Sequence, residues 1–124
     1  MTKSNFFYLM FHVSDPAAAR DFYRGIFGAD VLSEDYLPNG DAYIMINING
    51  CNILLRPGEI TADSAEGATG VGCCAKFDNE SDLRVAYAAL CEGVTQHSLH
   101  DDWGWTRLAA QVTDKYGVAW LLSV

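Results

Sequence analysis

The sequence is short of bases. Eight lysines and arginines face sixteen aspartates and glutamates, a formal net charge of −8 at pH 7. Nucleic acid is therefore not an expected partner, because a phosphate backbone is gripped chiefly by a basic surface. An anionic membrane surface is disfavoured on the same ground, whereas a cationic or neutral small molecule is acceptable. No apolar run approaches the length of a bilayer span. The opening MTKSNFFYLMFHVSDPAAARD has a lysine, a short apolar run and small residues. That run ends at His12 and passes directly into a helix start, so a first strand explains it better than a signal peptide. Among Cys51, Cys73, Cys74 and Cys91 there is no CxxC pair, and the spacing suits no zinc site. Reduced, mostly buried thiols of a cytoplasmic protein are the expectation. A Ser-centred elbow is missing too, and GATGVG lacks the following helix that a phosphate cradle needs.

What remains is an ordinary globular composition. The chain has 124 residues, half of them apolar, enough for one domain with a core. Residues 6–13 read as a buried strand. Asp15 is a natural N-cap, Pro16 suits the first helical turn and Gly28 a C-terminal stop. Phe22, Tyr23, Ile26 and Phe27 form an apolar stripe between them. Strands are expected at 30–34, 42–49 and 51–56, with LPNG and NING as turns. A polar, Gly- and Ala-rich linker follows at about 58–69.

The order then repeats. GVGCCAKF is a strand, Asp78 or Asn79 caps a helix, and Leu83, Ala86, Tyr87 and Leu90 give its apolar stripe up to Gly93. Three more strands are expected at 94–99, 105–112 and 118–124. GCNILLR at 50–56 aligns without a gap over GVAWLLS at 117–123. The chain is thus read as two βαβββ modules, about 5–57 and 70–124, in a single domain. The expected class is α+β, a cup-shaped mixed sheet with its helices outside.

FYRGIFGAD, FDNESDLRVAYAALCEG and above all DDWGWTRLAAQVTDKYGVAWLLSV carry a resemblance that spans nearly the whole chain. It is to the vicinal oxygen chelate superfamily of glyoxalases, bleomycin-resistance proteins and extradiol dioxygenases, in its PhnB-like branch. The resemblance implies a homodimer and a small-molecule ligand. It also implies a divalent metal held from the first and fourth strands of each module. Val13 and Phe77 should pack against the helices, which places the His-type positions at Tyr8 and Gly72 and the Glu-type positions at Leu54 and Leu121. None of these can bind a divalent ion by carboxylate or imidazole. A slip of two residues offers Met10, Asn52, Arg56, Cys74, Ala119 or Ser123, and a slip of four offers His12. A divalent metal is therefore disfavoured and no cofactor is assigned.

Other candidates are weighed singly. His12 shares a strand face with Tyr8 and Met10 and is either a hydrogen-bonded pocket residue or a general base. His97 and His100, beside Asp101 and Asp102, mimic a metal cluster. A spacing of three in a strand puts them on opposite faces, so a solvated hairpin end is expected. Trp103 and Trp105 suit either a ligand pocket or dimer packing. Arg56, Lys76 and Arg107 are bases within reach of a cavity. Cys74 has no evident base to make it a nucleophile and reads as buried filler.

Three functions stay open. The first is binding of an apolar, aromatic or cationic ligand without metal, through Tyr8, Met10, His12, Asn52, Leu54, Arg56, Cys74, Trp103, Trp105 and Leu121. The second is a metal-dependent lyase, isomerase or dioxygenase built around His12. The third is a filled cavity that serves assembly.

Overall fold

The computed structural model describes residue 4 and residues 6–58 and 72–124. Apart from Gly58 and Gly72, the expected linker and the GATGVG stretch at its end lie outside the described residues. The chain divides into two compact units between Glu59 and Ile60. Among the described residues each carries one helix and four strands, in the α+β order expected.

In the first unit β1 (Leu9–Val13), α1 (Pro16–Phe27), β2 (Asp30–Tyr36), β3 (Ala42–Ile48) and β4 (Cys51–Pro57) form a sheet of order β1-β4-β3-β2. In the second, β5 (Cys73–Lys76), α2 (Glu80–Leu90), β6 (His97–Asp101), β7 (Leu108–Thr113) and β8 (Ala119–Ser123) repeat it as β5-β8-β7-β6. The outer pairs β1–β4 and β5–β8 are parallel, and the other neighbours are antiparallel. That mixture follows from connectivity, since a helix crossover returns the chain parallel while hairpins return it antiparallel.

Local chemistry sets the elements. The Asp15 carboxylate accepts from Ala18 N, Pro16 opens the helix, and Gly28 ends it at φ 65°. Asn79, not Asp78, caps α2 by accepting from Asp82 N. The Asn49–Gly50 turn holds φ 49° and 91°, the pair of left-handed residues a two-residue hairpin needs. Each helix covers one sheet face. Val13, Ile44, Ile46 and Leu55 are fully or nearly solvent-free beneath α1, as are Leu108, Ala110 and Leu122 beneath α2. Arg20 of α1 ion-pairs with Glu34 of β2, tying helix to sheet at the rim.

Several sequence expectations are corrected. The first strand begins at Leu9, and Phe6, Phe7 and Tyr8 precede it exposed, because β4 pairs with β1 only from Ile53 onward. Residues 94–96 are a connection and the strand starts at His97; Gly93 at φ 74° and a Val94 N–Cys91 O bond hold the turn there. Residues 105–107 belong to the β6–β7 turn rather than to β7. The apolar stripe of α1 buries Ala19 and Tyr23 fully and leaves Phe22, Ile26 and Phe27 half-buried. The thiols are not mostly buried: Cys51 and Cys74 are exposed, Cys73 and Cys91 intermediate. Cys74 lies on the sheet face away from the helix, so it is not core filler.

Candidate functional site

Strand side chains alternate between the helix-covered face and the opposite, open face. Interstrand register therefore groups open-face residues into rows across each sheet. In the first module Asn52 lies beside Asn47, and Asn47 beside Asp30. The next row runs Met10, Leu54, Met45, Ser33. In the third, His12 lies beside Arg56, whose guanidinium carbon stands 5.7 Å from the Tyr43 ring centroid, and Tyr43 lies beside Asp35.

The rows are cross-linked. Asn47 Nδ2 donates to Asn52 Oδ1 at 2.7 Å. Arg56 Nη1 approaches Met10 Sδ at 3.9 Å. A side chain on Gly58 would meet His12 Cβ at 2.8 Å, so this glycine leaves the imidazole its place. Of the sequence candidates, Met10, His12, Asn52, Leu54 and Arg56 come together on this single face. Tyr8 precedes β1, its ring tilted against that of Phe6 with centroids 5.2 Å apart.

The second module repeats the pattern with different chemistry. One row reads Cys74, Leu121, Gln111, Ser98, and the next Lys76, Ser123, Ala109, His100. The two histidines do fall on opposite faces. His97 Nδ1 shares a hydrogen bond of 2.8 Å with Tyr87 Oη of α2, while His100 Nε2 bonds Ser98 Oγ at 2.9 Å. His100 lies in a strand and stacks at 5.0 Å on Trp103, so the hairpin end expected at His97 and His100 falls instead at 102–107. Trp105 sits in that turn, 68% exposed, beside a shallow recess of about 270 Å³ that Arg107 also lines. Arg107 is ion-paired with Glu80. A larger open recess of about 360 Å³ is lined by His97 and Ala119 among others, but by none of the ten ligand-binding candidates.

Strand β3 supplies what sequence reasoning missed: Tyr43, Met45 and Asn47. The signal was present in AYIMINI, because burial of Ile44 and Ile46 sends the alternate residues to the open face.

DKYGVAW owes its form to a buried carboxylate. Asp114 is 3% exposed. Its Oδ1 accepts from Tyr116 N at 2.9 Å and Val118 N at 3.1 Å, and its Oδ2 accepts from Trp120 Nε1 at 2.9 Å. With Gly117 at φ 83°, this latch aims β8. The motif is structural.

The positions at which the resemblance implies metal ligands do not fit a metal. Leu54 sits between Met10 and Met45, and Leu121 between Cys74 and Gln111. At Gly72 an added Cβ would stand only 3.2 Å from the Ala119 carbonyl oxygen, so even a larger ligand residue would be crowded there. Among the described residues no group of three His, Cys, Asp or Glu is arranged to hold an ion. Nor is any helix among them long and apolar enough to cross a membrane.

Comparison with known proteins supports this architecture. The family model described as Glyoxalase/Bleomycin resistance protein/Dioxygenase superfamily matches residues 5–122. No curated protein matches the sequence. Among solved structures, a Bacillus cereus PhnB protein, described as a putative 3-demethylubiquinone-9 3-methyltransferase, superposes with a TM-score of 0.70 at 15% identity, covering 98% of both chains. The fosfomycin resistance protein FosX of Listeria monocytogenes, an E126Q mutant solved with Mn(II) and 1S,2S-dihydroxypropylphosphonic acid, gives 0.74 at 14% identity over 98% of this chain and 93% of that one. Protein PA1353 of Pseudomonas aeruginosa gives 0.68 at 19% identity, covering 94% and 92%. At these identities the likeness is one of fold.

Proposed function

The chain belongs to the glyoxalase/bleomycin resistance protein/dioxygenase superfamily, and from that premise we propose that it binds a small apolar or aromatic molecule without the metal its relatives use. The observation that carries this is the register around Leu54 and Leu121, which lines both positions with Met10, Met45, Cys74 and Gln111 rather than a ligand set. Thioethers and a leucine beside a few polar groups form a surface on which an apolar body lies while the polar groups orient it. The binding residues of this reading are Tyr8, Met10, His12, Asn52, Leu54 and Arg56 in the first module, and Cys74, Trp103, Trp105 and Leu121 in the second. Arg56 in the middle of its face weighs against a cationic ligand. A homodimer in the cytoplasm completes the proposal.

A metal-dependent lyase, isomerase or dioxygenase is the second reading, favoured by the exposed His12 on the same open face. Metal content of protein purified without chelator separates the two. The binding reading expects only traces. One equivalent of zinc, nickel, iron or manganese, lost in His12→Ala, establishes the second reading and removes the first.

A further inference from the structure

Arg56 is bonded less than a guanidinium in its position should be. Among the described residues its Nη1 meets only the Met10 thioether, at 3.9 Å, and sulfur there is a weak acceptor. Its Nε is buried with no hydrogen-bond partner. Arg20 and Arg107 are ion-paired; Arg56 takes part in none of these pairs, although the chain has sixteen acids to offer. A desolvated N–H without a partner is costly, more so on a charged group. The chain nevertheless keeps this cation over the Tyr43 ring, with the guanidinium carbon 5.7 Å from the ring centroid.

We propose that Arg56 anchors an oxyanion subsite on the open face of the first module, taking the carboxylate of a ligand whose apolar body lies on Met10, Leu54 and Met45. The inference rests on the small-molecule-binding reading and names the ligand class within it. A carboxylate matches the guanidinium fork with two parallel hydrogen bonds, and the Tyr43 ring beside it helps keep the cation in place. Met10, 48% exposed, is unbranched and flexible, so it yields its place beside Nη1 to a ligand oxygen at little cost. His12, level with Arg56 in register, places a second polar group at the same end of the ligand. The methionine–leucine row lies two residues along the strands, roughly 7 Å away. That distance is spanned by a fused aromatic ring system or a mid-length acyl chain. Asp30 and Asp35 share the face, and the chain's net charge is −8. A monoanion is therefore accepted more readily than a dianion, which favours a carboxylate over a phosphate monoester.

Calorimetric titration of the full chain with 2-naphthoate, 2-naphthamide and 2-naphthyl phosphate tests the subsite. The expected result is saturable binding of 2-naphthoate and at least about tenfold weaker binding of the other two. Arg56→Lys keeps the charge and the apolar stem but loses the planar edge, so its 2-naphthoate affinity should fall about tenfold. Arg56→Gln serves as the second variant, with circular-dichroism melts confirming that both fold. Equal affinity for acid and amide, a preference for the phosphate, or undiminished 2-naphthoate binding in both variants overturns the subsite and leaves a small-molecule binder. Silence from all three probes also removes the subsite. Silence extending to neutral and cationic aromatics removes the binding reading beneath it.

Discussion

At the scale of single residues, the most informative side chains are those whose partners are complete or conspicuously incomplete. Asp114 is complete, with three donors on two oxygens in a buried site. Asp114→Asn replaces one acceptor by a donor and leaves at least one of those N–H groups unpaired. The expected cost is about 1–3 kcal/mol, read as a lower urea midpoint with unchanged slope; a midpoint within error of the parent would show the latch to be dispensable. At Cys91 burial outweighs the partner. Burial pushes its thiol above the ordinary value of 9.0, although a hydrogen bond with Tyr87 pulls the other way. Burial raises the Tyr87 phenol as well. A folded-state pKa above the unfolded one means the folded chain holds its proton longer. The stability involved is fully present below the unfolded pKa and is lost as pH rises through the folded one. Denaturation midpoints should therefore fall above pH 9.0, and Cys91→Ala should lessen that fall. Exposed Cys51 and Cys74 should be alkylated by iodoacetamide before Cys91, as mass spectrometry of partially labelled protein would resolve.

At the scale of elements, punctuation was legible in the sequence and strand ends were less so. Asp15, Pro16 and Gly28 bracket α1 in the residues themselves, because capping and left-handed backbone are local properties. Gly28 has nothing within 4 Å of an added Cβ and sits at φ 65°. Gly28→Ala thus isolates backbone strain and should cost about 1 kcal/mol. Asn79→Ala should cost a similar amount, about 1 kcal/mol, through loss of the α2 cap; both are checked by thermal melts against the parent. The starts of β1, β6 and β7 were each misplaced by three residues, since a strand begins where its partner begins and single-strand propensity does not contain that information. Parity survived those shifts. Val13 and Leu122 are solvent-free, so Met10, His12 and Leu121 were assigned to the open face from sequence alone. Tyr43 and Met45 were missed because parity was applied only to the first and fourth strands.

At the scale of the whole molecule, duplication explains why one topology accommodates two unlike surfaces. The helix-covered faces repeat their apolar character, as in Leu55 and Leu122. The open faces diverge, with His12 and Arg56 in one module where Lys76 and Ser123 stand in the other. Family membership and fold were therefore readable from the repeat, while ligand chemistry resides in positions the repeat does not constrain. The central claim is that a small molecule binds without metal. Its most direct test is calorimetric titration of the full chain with apolar and aromatic ligands, before and after treatment with EDTA. The account predicts saturable heat with the same affinity in both cases. Heat that disappears with EDTA and returns with manganese, or no heat from any ligand, would contradict it.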